Sequence, residues 1–168
     1  MTLTTHAVCG AALAAVFRLN PASALVVGVA SHYLLDSFPH WDYKLSTAKV
    51  KEKNLLVIDL PVSRHAIGDF VKIGFDGLLG FFLAFTFFTT SSQNGWISIL
   101  AGAAGGVLPD GLQFVYMKFR RAPVSDCQRL HDFAHSATKI ANPFWGIFCQ
   151  ALILLFALIL GNLSFFIW

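Results

Sequence analysis

Residues 144–168 read FWGIFCQALILLFALILGNLSFFIW and contain no charged side chain. An α-helix needs about 20 consecutive apolar residues to cross the hydrocarbon core of a bilayer. This stretch is long enough, so it favours a membrane-spanning helix. The whole chain has the same character, because 56% of its 168 residues are hydrophobic and only 12% are charged, whereas a soluble domain carries roughly 25% charged residues. The composition therefore excludes an ordinary soluble domain.

Four further apolar segments precede this one, so the sequence predicts an all-α polytopic membrane bundle of about five transmembrane or re-entrant helices. The five segments are residues 3–17, 22–36, 67–89, 96–117 and 144–168. The first two are short, and they either span at a tilt, re-enter, or pack against the others. Pro21 is placed to open the second helix, and a polar turn at residues 91–95 separates the third from the fourth. We expect a single membrane-embedded domain over residues 1–168, with loops at about 37–66 and 118–142.

Basic residues are distributed unequally between the two sides of this predicted bundle. The N-terminus and the two loops lie on one side, which carries eleven of the twelve Lys and Arg residues, and Arg18 alone lies on the other. Basic residues near membrane spans favour the cytoplasm. We therefore expect an integral protein of the cytoplasmic (inner) membrane with a cytoplasmic N-terminus, retained because it lacks a basic leader. The asymmetry accounts for the net charge of +3 without a nucleic-acid partner.

Eight ionisable side chains, six in the apolar segments and two in the loop before the last segment, lie on the predicted cytoplasmic side. Such groups are expensive within a membrane and usually mark function. Small residues share their helical faces, as Gly28 and Ala24 do with His32, and small residues let membrane helices approach closely. We therefore expect each segment to turn its polar group toward the bundle interior. The groups are His6, His32, Asp36, Asp69, Asp76, Asp110, His131 and His135.

The second loop carries two of these histidines four residues apart. Residues 125–128, SDCQ, read as a capping box, which predicts a short helix that continues to about residue 139. Residues four apart share a helical face, so His131 and His135 would lie side by side. A hydrated surface helix without a ligand is the alternative interpretation.

Imidazole and carboxylate groups at this spacing are suited to binding zinc or a similar divalent metal ion. Such an ion lowers the pKa of its bound water toward about 7 and stabilises a developing oxyanion. Hydrolysis of an ester or phosphoester is the predicted outcome. The candidate ligands are sufficient for one ion and could hold two. They are His6, His32, Asp36, Asp110, His131 and His135.

Other acidic and imidazole groups have two interpretations each. Asp76 is a candidate general base or extra ligand, but Lys72 lies four residues before it, so a structural salt bridge is equally compatible with the spacing. Asp69 is expected to be an interfacial or capping carboxylate. His40 and Asp42 either extend the site or belong to a membrane-interface segment with the aromatic residues beside them.

Three short motifs resemble those of a known family. They are THAVCG at residues 5–10, SHYLLDSFPHWD at 31–42 and GVLPD at 106–110, and they are similar to motifs of the YdjM-like inner-membrane metal-dependent hydrolases, a group distantly similar to zinc-dependent phospholipase C. The resemblance implies a helical metal site with His6, His32, Asp36 and Asp110 as ligands and a phosphoester or lipid-like substrate. The chain departs from the pattern after Asp110, where GLQ replaces the further Asp or His of many members.

The predicted function is a membrane-bound metal-dependent hydrolase with a lipid or phosphoester substrate. One alternative is a transporter component that passes protons or metal ions through the same groups, but the opposite side carries only Arg18, hydroxyl side chains and a Gln/Asn turn. Another alternative is a catalytically silent scaffold that keeps a metal ion for stability. Metal removal would then unfold the bundle, and no ester would be hydrolysed.

Overall fold

The computed structural model describes residues 1–50, 58–61, 63–88 and 93–167. A 3-10 turn leads into the third helix, and two strands of two residues each, β1 and β2, pair antiparallel with Lys49 opposite Asp59. The strands are β1 (Lys49–Val50) and β2 (Ile58–Asp59). The α-helices within the described ranges are α1 (Leu3–Val16), α2 (Pro21–Asp36), α3 (Ile67–Phe87), α4 (Gln93–Lys118), α5 (Val124–Ala134) and α6 (Pro143–Ile167).

All five predicted apolar segments are helical, and the all-α prediction is confirmed. Helix α2 begins at Pro21 as predicted, because the fixed φ of proline suits the first helical position. The Asn20 side chain caps it by accepting a hydrogen bond from the Ser23 amide at 3.0 Å. The predicted turn at residues 91–95 lies partly outside the described residues, and α4 already begins at Gln93.

Within the described ranges, three helices are long and apolar enough to cross a membrane. They comprise Arg64–Phe87, Gly95–Lys118 and Pro143–Leu163. Large apolar side chains face outward on α3 and α6, as Phe75 and Phe156 do with 68% and 63% of their surface exposed. Helices α1 and α2 have 14 and 16 residues, which is less than the length of about 20 residues that a perpendicular span requires.

Helix α1 is the centre of the bundle and contacts α2, α3, α4 and α6. Glycine makes this packing possible, because a Cβ on Gly10 would overlap the Gly102 carbonyl oxygen of α4, and one on Gly28 would overlap the same atom. Backbones in direct contact leave no room for larger side chains. The prediction that small residues face the bundle interior is therefore confirmed.

Helix α5 differs from its prediction at both ends. It begins at Val124 with Pro123 at the N-cap position and no side-chain cap, so the predicted capping box is wrong. It ends at Ala134 rather than near residue 139, and His135 has an extended backbone. The reason is tertiary, because the Ser136 amide donates to the Asp36 carbonyl at 2.7 Å and thereby ties the chain to the end of α2.

Candidate metal centre

One buried carboxylate, that of Asp36 at the end of α2, lies at the centre of the candidate site. It is 1% exposed, and the Nε2 atoms of five imidazoles surround it within 4 Å. These imidazoles come from α1, α2, the following loop, α5 and the residue after α5, so the fold brings together side chains distant in sequence. The distances to the nearest Asp36 oxygen are 3.1 Å for His6, 3.3 Å for His32, 3.7 Å for His40, 3.7 Å for His131 and 3.9 Å for His135.

Backbone carbonyls orient three of these rings. The Nδ1 of His32 lies 2.8 Å from the Gly106 carbonyl oxygen, that of His40 lies 2.8 Å from the Phe38 carbonyl oxygen, and that of His135 lies 3.2 Å from the Ser136 carbonyl oxygen. A carbonyl oxygen only accepts, so each Nδ1 must carry the hydrogen. In the neutral ring this leaves the Nε2 lone pair facing Asp36, and such orientation of a second nitrogen is typical of metal-binding histidines.

In this arrangement, imidazole Nε2 lone pairs face the carboxylate oxygens of Asp36, so hydrogen-bond acceptors lie against one another. The Nε2 atoms of His32 and His40 are buried and make no hydrogen bond of good geometry. A lone pair that faces a carboxylate is unfavourable unless a proton or a metal ion lies between the two. Burial lowers the pKa of His131 to about 4 and also lowers that of His135, so both rings are neutral at pH 7, which is the form that coordinates metals.

Among the described residues, two overlapping groups of side chains could hold a metal ion. The donor atoms of each group lie within 4.8 Å of one another. Donors at 2.0–2.2 Å from a tetrahedral ion are roughly 3.3–3.6 Å apart, and the distances from Asp36 to His32 and His131 are close to that range. Asp36 belongs to both groups. The first group is His32, Asp36, Asp110 and His131, and the second is Asp36, His40 and His135.

Five of the six predicted ligands thus belong to these groups. The sixth, His6, lies outside both sets of donor atoms, although it is fully buried and its ring stacks on His32 with a centroid distance of 4.0 Å. His6 therefore packs against His32 and contacts Asp36, two residues that do belong to these groups. In α4, Asp110 has an oxygen 3.9 Å from Nε2 of both His32 and His131.

Asp76 is not placed with the histidines. Its carboxylate accepts hydrogen bonds from the Leu3 amide at 2.7 Å and from the Thr4 amide at 3.0 Å, and the Thr4 hydroxyl also donates to it. A carboxylate at this position satisfies amides that have no partner within the first turn of a helix. Lys72 pairs with Asp69 at 3.7 Å instead. The role of Asp76 as a general base stays a prediction, and its contacts are those of a helix cap.

Asp69 has a similar structural role. It is 1% exposed and accepts from the Ser46 amide at 2.9 Å and from the Thr47 amide at 2.8 Å. The loop that follows α2 is therefore tied to the start of α3, and Asp69 caps loop amides rather than the helix, whose N-cap residue Ala66 has no side-chain cap.

Sequence reasoning left His40 and Asp42 open, and the structure places both at the site. Asp42 accepts from the Met1 amino group at 2.9 Å and from Lys139, and one of its oxygens lies 3.2 Å from Nε2 of His40. The Met1 amino group also contacts Asp36 at 3.1 Å. In the sequence, His40 lies four residues after Asp36, which is the spacing of neighbours on one helical face. Helix α2 ends at Asp36, however, so helical spacing does not explain the contact between the two residues.

A cavity of about 480 Å³ adjoins these groups. Asp36, Asp110, His131 and His135 line one part of it, and apolar side chains of α3 and α4 line another. A ligand in this cavity would reach the carboxylates and two of the imidazoles at once.

Comparisons with protein-family models, with curated proteins and with solved structures found no match to this chain. Its own geometry therefore defines the class of site, which is a buried His/Asp cluster that could hold a metal ion, in an all-helical chain with three helices able to cross a membrane.

Proposed function

We propose that this protein is a membrane-bound metal-dependent hydrolase of a phosphoester, which is either part of a lipid headgroup or part of another molecule. The observation that carries the proposal is the set of five imidazole Nε2 atoms around the buried Asp36 carboxylate. The proposal agrees with the resemblance of three sequence motifs to the YdjM-like hydrolases, and we propose that the chain is a distant relative of that family.

We further propose that the site can hold two ions: His32, Asp110 and His131 would hold one together with Asp36, and His40 would hold the other together with the same carboxylate. Two supporting facts are that Asp36 is common to both groups of donor atoms and that different rings lie nearest its two oxygens. His6 and His40 lie nearest Oδ1, and His32, His131 and His135 lie nearest Oδ2. Ions in two-metal hydrolytic sites lie about 3.5–4 Å apart, a separation that one bridging carboxylate can span. His135 completes the second group.

Zinc is the proposed metal, because the two groups together contain four imidazoles and two carboxylates and zinc is bound well by such ligands. A bound ion would supply Lewis-acid stabilisation of charge on the phosphoester and would make water more acidic. The chain's own residues orient the ligands through the Gly106 and Phe38 carbonyls and keep the deep part of the site dry. Lys139, beside Asp42, supplies a cation at the cavity that can attract a phosphate.

The membrane arrangement is also part of the proposal. We propose five transmembrane or re-entrant helices in the cytoplasmic membrane, with the short helices α1 and α2 held among the three longer ones and the N-terminus in the cytoplasm. The support comes from the sequence, since eleven of the twelve Lys and Arg residues belong to the segments predicted to lie on the same side as the candidate ligands.

A transporter would need polar groups that continue from the site to the far side of the bundle. In the described part of the chain, the interior next to the site is instead filled by small apolar residues, and Ala7, Val8, Ala11 and Ala103 have no exposed surface. This packing favours a site that is open on one side, as a hydrolase requires.

The proposal can be tested by elemental analysis and phosphodiesterase assays on the purified protein. We expect zinc in the wild type, loss of about half of it in Asp110→Ala, because Asp110 belongs to the first group alone, and a decrease in the hydrolysis of bis-p-nitrophenyl phosphate that accompanies the zinc lost. His65→Ala is the matched control, because His65 is exposed and belongs to neither group. A wild type without bound metal would contradict the proposal, and bound metal without hydrolysis of any phosphoester would favour the silent scaffold.

A further inference from the structure

The cavity beside the candidate metal centre has two chemically different parts. One is polar and includes Asp36, Asp110 and His131. The other is apolar, and most of its side chains come from α3 and α4. They include Leu60, Phe70, Ile73, Val107, Phe114 and Met117.

The space between α3 and α4 follows from the way the helices pack. Helix α3 contacts α1 more extensively than it contacts α4, and the Asp76 carboxylate holds it against the first turn of α1. The rings of Phe70 on α3 and Phe114 on α4 both line this space and meet edge to face with centroids 5.7 Å apart. The resulting volume of about 480 Å³ is within the range of about 300–1,000 Å³ that is typical of small-molecule sites.

A ligand that suits both parts must be polar at one end and apolar at the other. Water gains little from an apolar pocket, whereas a hydrocarbon chain is stabilised there by the removal of its surface from water. Helices α3 and α4 are both candidate membrane spans, so the apolar part lies between two segments that a lipid chain would reach from the bilayer.

We propose that the substrate is an amphiphilic phosphoester whose hydrocarbon chain lies between α3 and α4 while its phosphoester contacts the Asp36 and Asp110 end of the cavity. This inference rests on the proposed hydrolase function and adds the substrate class to it. A phosphoester without a chain would leave the apolar part of the cavity without a ligand.

Two substrates that share one leaving group test the inference. They are dodecyl p-nitrophenyl phosphate, which has a hydrocarbon chain, and methyl p-nitrophenyl phosphate, which lacks one. Ile73→Trp fills the apolar part of the cavity, and Val71→Trp is its matched control, since Val71 is on the same helix and is 63% exposed. We expect Ile73→Trp to lower the ratio of the two kcat/KM values, dodecyl over methyl, by about tenfold or more, because removing only two methylenes from water already corresponds to about that factor. Val71→Trp should leave this ratio unchanged.

A second measurement does not depend on catalysis or on the folding of a variant. A dodecyl phosphonate with a diazirine at the end of its chain should photo-crosslink to residues of α3 and α4 in the wild type, both with zinc and after chelation. Crosslinks confined to other helices, or equal effects of Ile73→Trp and Val71→Trp on the substrate ratio, would overturn the inference. If neither substrate is hydrolysed, the proposed function fails, and the crosslinked positions still decide whether this cavity binds a hydrocarbon chain.

Discussion

Replacing Asp36 with Asn should remove both proposed ions in one step. Asp36 is the only residue common to the two groups of donor atoms. An amide keeps the shape of the side chain but lacks the negative charge, and it cannot bridge two cations as a carboxylate does. We expect the ratio of zinc to protein to fall from about two in the wild type to near zero in Asp36→Asn. His40→Ala affects only the second group, so it should retain about one ion.

The loss of metal should also lower stability by a calculable amount. A ligand present at 100 times its Kd stabilises the folded state by about 2.7 kcal/mol, so two independent ions contribute roughly 5 kcal/mol. For a chain of this size, each 1 kcal/mol shifts Tm by about 2–4 °C. We therefore expect chelation to lower the Tm of the wild type by roughly 10–20 °C and that of His40→Ala by about half as much. Chelation should leave the Tm of Asp36→Asn unchanged.

The assay combines elemental analysis with thermal unfolding in detergent, before and after treatment with a chelator. His65→Ala is the control, and it should match the wild type in both measurements because His65 is exposed. An Asp36→Asn protein that retains two zinc ions, or a chelator effect of equal size in Asp36→Asn and the wild type, would refute the assignment of Asp36 as the shared ligand.

Three further predictions concern other parts of the molecule. Gly10→Ala should lower the free energy of unfolding by about 1–3 kcal/mol, since its Cβ would overlap the Gly102 carbonyl oxygen. Gly74 has open space around it, so Gly74→Ala should not destabilise the fold by overpacking. Equal losses of unfolding free energy in denaturant titrations of the two variants would contradict this account. Asp76→Asn should destabilise the protein by about 1–3 kcal/mol, because one amide at the start of α1 loses its acceptor. The variant should keep its zinc content. Loss of hydrolysis with unchanged stability would identify Asp76 as a general base instead. The zinc-free protein should become less stable as the pH falls from 6.5 to 4. The reason is that His131, with its pKa lowered to about 4, does not bind a proton in the folded state over this range, whereas it does in the unfolded chain. In thermal melts recorded across that range, His131→Ala should reduce the dependence of stability on pH.

The helices and the side of the bundle that carries the polar groups were predictable from the sequence. Long apolar segments must form helices in a membrane because every backbone N–H and C=O needs a partner there. The small residues on the polar faces predicted close packing, and Gly10 and Gly28 do lie against the backbone of α4. These are properties of composition and local spacing, so they require no knowledge of distant contacts.

Loop residues were harder to predict because their positions depend on distant partners. His135 leaves the helix that helical spacing predicted for it, since the Ser136 amide pairs with the Asp36 carbonyl. His40 reaches Asp36 through a loop, and the Ile140 amide fixes that loop by donating to the His40 carbonyl at 2.9 Å. Contacts across about a hundred residues leave no periodic signal in the sequence.

The sequence by itself determined that this chain forms apolar helices and gathers its histidines and carboxylates toward one end of them, because both follow from hydrophobic length and from the 3.6-residue helical period. Only the tertiary structure decided that five imidazoles converge on Asp36 while Asp76 turns away to cap α1. The physical reason is that helix rotation and register depend on how the small-residue faces pack, and a shift of one residue would point each polar side chain in another direction.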